Sequence, residues 1–115
     1  MPYVHIQTNA TVSEQARERL LAQASRIAAE TIGKPESYVM AGLSQAAMRM
    51  GGKDGPAAFC DVRSIGGLGA KVNAALSEKL CGLLEETLAV PADRVFLTFT
   101  EITADRWGWN RGTFG

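Results

Sequence analysis

Hydrophobic and polar residues alternate from the start of the chain. Tyr3-Val4-His5-Ile6-Gln7-Thr8 carries apolar side chains at every second position, the period of a half-buried strand. The spacing then changes to that of a helix. Leu20, Ala24, Ile27 and Ala28 recur at i, i+3 and i+4, with Glu14, Arg17, Glu18 and Arg26 mostly on the other side. Thr11 and Glu14 stand as a capping box, with Ser13 as the alternative cap, and Gly33-Lys34-Pro35 closes the helix. A second strand is predicted over Tyr38–Leu43, and Met50–Pro56 reads as a loop rich in glycine. A third strand follows from about Ala57 to Ser64, then a turn over Gly66–Gly69. A second helix over Ala70–Leu88 has Val72, Leu76, Leu80, Leu83, Leu84 and Leu88 as its stripe. Val95–Thr100 reads as a fourth strand, and the remainder as an irregular tail.

The pattern repeats at an offset of 56 residues. Leu20 falls on Leu76, Ala24 on Leu80, Ile27 on Leu83 and Ile32 on Leu88, while Pro35 falls on Pro91 and Val39 on Val95. Each half, about 2–44 and 57–100, reads strand–helix–strand, with 101–115 as the tail of one domain. Two such crossover units give an α+β fold, a four-stranded mixed sheet with both helices on one face. Val4, Ile6, Val39, Ala41, Leu43, Cys60, Val62, Val95, Leu97 and Phe99 share the helix-facing parity. The opposite face carries Tyr3, His5, Gln7, Phe59, Asp61, Arg63, Phe96, Thr98 and Thr100. Its mixed character predicts a face covered by other subunits, with polar positions lining a wet interior.

Composition narrows the function classes. Twelve basic residues balance twelve acidic ones, so no electrostatic footprint for nucleic acid or an anionic membrane is expected. No apolar run nears the ~18 residues of a membrane span, and no signal-peptide pattern precedes Tyr3, which makes the cytoplasm the expected address. One histidine and two separated cysteines, Cys60 and Cys81, offer no metal-ligand spacing, and the thiols read as small hydrophobes. The glycine-rich turn Gly66-Gly67-Leu68-Gly69 lacks the third glycine of a dinucleotide fingerprint and the Gly-Lys step of a phosphate loop, so it reads as a structural turn. No cofactor is expected.

The candidate chemistry lies at the amino terminus. If Met1 is trimmed, Pro2 begins the chain with a free secondary amine. An α-amino group has a reference pKa of roughly 7.7–8.0, and a nearby cation or burial lowers it. Such an amine can serve as a general base near neutral pH. Lys34 sits where a cation complements the helix dipole, or where it could hold a substrate carboxylate. His5 has no paired carboxylate or serine and reads as a surface or lumen residue. Trp107, Trp109 and Phe114 are either walls of an aromatic pocket or anchors of the tail.

Six pieces in order carry a resemblance. They are Met1-Pro2 with Thr8-Asn9, Gly33-Lys34-Pro35, Ser64-Ile65-Gly66, Leu80-Cys81-Gly82-Leu83-Leu84, Pro91-Ala92-Asp93-Arg94-Val95, and Gly108-Trp109-Asn110 with Thr113-Phe114. The chain resembles the macrophage migration inhibitory factor family of the tautomerase superfamily. The resemblance implies a homotrimer with sites between neighbouring subunits and a keto–enol tautomerase acting on phenylpyruvate-like or dopachrome-like acids. It implies Pro2 as the catalytic acid/base. Lys34, Ser64 and Ile65 would lie at the substrate carboxylate, with Phe96, Thr98, Trp109 and Phe114 lining the pocket. Phe96 and Thr98 replace the tyrosine and asparagine of mammalian members, so activity is expected to be retained but altered in strength or preference. Ala57 replaces the first cysteine of a CxxC pair, so thiol–disulfide activity is not expected. The alternative is a cytokine-like trimer that binds a protein receptor, is secreted without a signal peptide, and has vestigial catalysis.

Overall fold

The computed structural model describes residues 1–115. β1 (Tyr3–Thr8) leads into α1 (Glu14–Ile32) and β2 (Met40–Gln45). β3 (Ala58–Ser64), α2 (Ala70–Leu88) and β4 (Val95–Glu101) repeat that order. A hairpin of β5 (Gly108–Trp109) and β6 (Gly112–Thr113) ends the chain.

The sheet order is β2-β1-β3-β4. β1 runs parallel to β2 with Tyr3 opposite Met40, and β3 runs parallel to β4 with Ala58 opposite Val95. The two units join along β1 and β3, which are antiparallel, with Tyr3 opposite Arg63. This is the doubled crossover expected from the repeat.

Both helices cover one face. Leu20, Ala24 and Ala28 of α1 and Leu76, Leu80 and Leu84 of α2 are fully buried against Val4, Ile6, Cys60 and Val62. Fully burying a leucine or valine contributes about 1.5–3 kcal/mol, so these positions account for most of the cohesion between the layers. On the other face Phe96 stays 61% exposed, Met40 66% and Phe59 37%. The predicted parity therefore holds throughout the sheet. No helix is long and apolar enough to cross a membrane.

Three details depart from expectation. Ser13, and not Thr11, caps α1: its Oγ accepts from the Ala16 amide at 3.1 Å, and Thr11 lies outside the helix. β2 starts at Met40 because Pro35 fixes a 3₁₀ turn over Glu36–Tyr38, closed by the Val39 amide donating to the Glu36 carbonyl. The tail is ordered, since the Phe114 amide donates to the Trp107 carbonyl at 3.1 Å across the hairpin.

Thr8 and Asn9 latch the end of β1 to the loop before β3. The Thr8 hydroxyl donates to the Ala57 carbonyl at 2.7 Å. Asn9 accepts from the Ala57 amide at 2.8 Å and donates to the Gly55 carbonyl at 2.9 Å. The Asn9 amide also donates to the Ala57 carbonyl, at 3.4 Å, so the two segments are joined through both main chain and side chains.

Candidate functional site

Pro2 precedes β1, and its carbonyl accepts from the Met40 amide at 3.0 Å, so the terminus is held at the head of the β1–β2 pair. A proline fits there because the first position of a strand needs no amide donor. Pro2 is fully buried beneath Met1. The two residues open onto a cleft of about 460 Å³ walled by Tyr38, Met40, Ile102, Trp107, Trp109 and Phe114.

The aromatic wall is built from two distant segments. Trp109 and Phe114 stack across the hairpin with ring centroids 5.5 Å apart. Tyr38 meets them edge-on at 5.8 and 6.2 Å. Such pairs add about 0.5–1.5 kcal/mol each beyond area burial, enough to hold the tail over the cleft. Trp109 and Phe114 are thus both anchors of the tail and walls of the pocket.

The amino group of Met1 is held below its usual range, first by partial burial and then by the charge of Lys34. Lys34 follows Gly33, whose left-handed backbone (φ 80°) turns the chain off α1. The Gly33 and Lys34 amides both donate to the Ala29 carbonyl at 3.0 Å. Lys34 in turn leans on the turn after β3. A Cβ at Gly67 would lie 3.5 Å from Lys34 Cε and only 2.8 Å from Ile32 Cγ2, and Gly67 itself has φ 80°. Only glycine meets both demands. The turn that begins Ser64-Ile65-Gly66-Gly67 is thereby brought to the end of α1, beside the lysine.

Ser64 is fully buried. Its carbonyl accepts from the Ile102 amide at 2.9 Å, and its Oγ has no hydrogen-bond partner within the chain. Ile65 is half-buried. Phe96 and Thr98 lie elsewhere, exposed on the open sheet face. Phe96 lines a second cleft of about 460 Å³ with Gln7, Met48, Met50, Ala58 and Phe59. Within one chain, then, Pro2, Trp109 and Phe114 share a cleft, Lys34 acts on the terminus electrostatically, and Phe96 and Thr98 are apart from them.

Some cleft residues were not singled out from sequence. Tyr38 read as a strand residue, yet the turn after Pro35 aims it at the tail. Arg63 and Arg106 also line the cleft, and no local pattern marks them. His5 lies on the open face, where Nε2 meets the Ser44 hydroxyl at 2.9 Å and the ring stacks near Tyr3. Cys60 is buried and its thiol is pushed up to about 12, chiefly by burial, with Cys81 as a smaller cause. It is inert as a nucleophile.

A family model described as macrophage migration inhibitory factor matches residues 1–115. The macrophage migration inhibitory factor homolog of Brugia malayi is 40% identical over 116 residues, covering all of both chains. The Mus musculus macrophage migration inhibitory factor is 32% identical over 115 residues, 99% of each. Among solved structures, that of the factor from Toxoplasma gondii superposes with a TM-score of 0.95 at 35% identity, covering 97% of this chain and 99% of that one. The homologue from Prochlorococcus marinus gives 0.93 at 38% identity, covering 98% and 99%. Matched from end to end, this chain belongs to the macrophage migration inhibitory factor family, with a fold of the tautomerase type.

Proposed function

We propose that the chain is a keto–enol tautomerase for phenylpyruvate-like or dopachrome-like acids, with Pro2 as its acid/base once Met1 is removed. The observation that carries this reading is the terminus itself. The Met1 amino group is partly withdrawn from water and its pKa is further lowered by Lys34, at an aromatic-walled cleft that Pro2 also lines. The Pro2 nitrogen freed by trimming, one residue on, would come under the same influences. Both influences favour the neutral amine, the form able to accept a proton at neutral pH.

In the reaction the Pro2 nitrogen takes a proton from the carbon next to the substrate's keto group. The electron pair of that C–H bond moves into a C–C double bond, and the carbonyl oxygen gathers charge as an enolate. The Pro2 ammonium then returns the proton to oxygen, giving the enol; the reverse sequence gives the ketone. Lys34, with the Ile65 backbone at the adjoining turn, holds the carboxylate; Ser64, expected beside it, is fully buried and supports that turn from within. Trp109 and Phe114 hold the ring. While Met1 remains, the Pro2 nitrogen is an amide without basicity, so processing switches the site on.

Phe96 and Thr98 join such a site only from another copy of the chain. Their face is the one that α1 and α2 leave open, and Phe59, Met40 and Phe96 are its exposed large apolar residues. A homotrimer that covers this face brings a neighbour's Phe96 and Thr98 to each amino terminus. Steady-state enol–ketone conversion by Pro2→Ala, with Met1 removal verified by intact mass, tests the reading. The Pro2→Ala chain keeps a free primary amine, so a loss of about 10- to 100-fold is expected from replacing the ring-fixed secondary amine by a freely rotating one. Equal activities would rule out a role specific to the proline.

A further inference from the structure

The cleft beside Pro2 is electrostatically one-sided. Two arginines, Arg63 and Arg106, line it, and no carboxylate does, although the chain has as many acids as bases. The two arginines are not equivalent. Arg63 is already engaged, its Nε and Nη2 donating to Asp61 Oδ2 at 3.2 and 2.9 Å. Arg106 is not. The three ion pairs of the chain use Arg19, Arg49 and Arg63, and the Arg106 side chain donates no hydrogen bond.

The backbone around Arg106 is nevertheless fixed. Its amide donates to the Thr103 carbonyl at 2.9 Å, closing the 3₁₀ turn Ala104–Arg106, and the next residue, Trp107, is tied to Phe114. An uncommitted guanidinium is therefore presented from a rigid turn at the aromatic wall. Lys34, acting at the amino group, is a separate cation. A substrate with a single carboxylate, held at Lys34, leaves Arg106 unanswered.

We propose that Arg106 is a specificity-determining residue that pairs with a second acidic group on the substrate, selecting aromatic keto acids that carry an additional carboxylate on the ring. This rests on the tautomerase reading. The guanidinium fork matches a carboxylate with two parallel hydrogen bonds, and an apolar wall beside it strengthens them.

The test compares kcat/KM for phenylpyruvate with that for its meta- and para-carboxyphenyl analogues, in wild type, Arg106→Ala and Arg106→Lys. Wild type should prefer one ring-carboxylated acid by about tenfold, and R106A should lower the rate constant for that diacid about tenfold more than for phenylpyruvate. R106K should keep part of the preference, having the charge without the fork. The preference should narrow in about half-molar salt, because an exposed pair is screened there. No preference in wild type, or an equal loss for both acids in R106A, overturns the proposal.

Binding titrations of terephthalate and isophthalate against benzoate give a readout independent of turnover. An Arg106-dependent preference for a dicarboxylate in a chain that turns over none of the acids would uphold the second anion site and refute the tautomerase reading. Turnover of phenylpyruvate with indifference to the second carboxylate would do the reverse.

Discussion

The two clefts are counterparts under the internal repeat. Met1, Pro2, Tyr3 and Met40 in the first correspond, 56 residues on, to Ala57, Ala58, Phe59 and Phe96 in the second. Each opens at the head of a parallel strand pair. Each also has its cover fastened by the last residue of the 3₁₀ turn before its second strand. In the first half that residue is Tyr38, which holds the aromatic tail. In the second it is Arg94, which donates to the carbonyls of Pro56 at 2.8 Å, Lys53 at 3.1 Å and Met50 at 3.4 Å, holding the glycine-rich loop.

The difference shows what turns a scaffold position into a chemical one. Pro2 corresponds to Ala58 and Lys34 to Val90, and both residues of the second half belong to the core. Ala58 lies within the chain, so its nitrogen is always an amide. Only the first cleft lies where a terminus can supply a base, and only there does the helix end in a lysine in place of a buried valine. Duplicated architecture provides two hollows; the second is lined by Arg49 but has no terminal amine, and the proposed base belongs to the first alone.

Lys34→Ala should have the largest effect, because it makes the first half resemble the second. Without the cation the amine pKa rises, so the neutral base is lost at higher pH than before, and the acid limb of the pH–rate profile moves upward. Carboxylate binding is lost as well, and kcat/KM at neutral pH should drop roughly ten- to hundredfold. An unmoved acid limb would show that Lys34 does not act on the amine.

Arg94→Ala tests the other cover. Losing hydrogen bonds from a charged donor should destabilise the chain by about 1–2 kcal/mol, because the exposed carbonyls regain water. Proteolytic nicking within Met50–Pro56 should rise, while the first cleft should keep its activity when assayed below the unfolding range. Parallel loss of activity would show that the clefts are not independent.

Cys60→Val probes the core, where Cys60 corresponds to Val4. The buried thiol stays protonated up to about 12, against 9.0 for a free one. An unfolded chain therefore releases this proton first as pH rises. The contribution to stability is complete below the unfolded pKa and is lost between the two values. Relative to C60V, the native chain should lose about 1 kcal/mol between about pH 8 and pH 10. A constant difference in denaturation midpoints would contradict the burial argument.

The fold was legible in sequence because its signals are local and doubled. Period-two strands, two leucine- and alanine-striped helices and matching prolines at 35 and 91 define each half, and each half corroborates the other. Where local signals competed, small shifts followed, as with Ser13 over Thr11 and the delayed start of β2 at Met40. The candidate site is legible only where chemistry coincides with a landmark: Pro2 at the terminus, Lys34 at a helix end, Trp109 and Phe114 as aromatics in a short tail. Tyr38, Arg63 and Arg106 converge through tertiary contacts between segments far apart in sequence, and nothing in their neighbourhoods announces it. Phe96 and Thr98 are tied to the terminus by the resemblance alone, since within one chain they lie away from the Pro2 cleft.

If a free Pro2 nitrogen is the base, chains with and without Met1 must differ, and the two can be separated. Their masses distinguish them, and tautomerase activity is then measured on each fraction at the same concentration. Turnover is expected only in the fraction that begins at Pro2. Equal turnover by the fraction retaining Met1 would contradict it, because there the proline nitrogen has no basicity to lend.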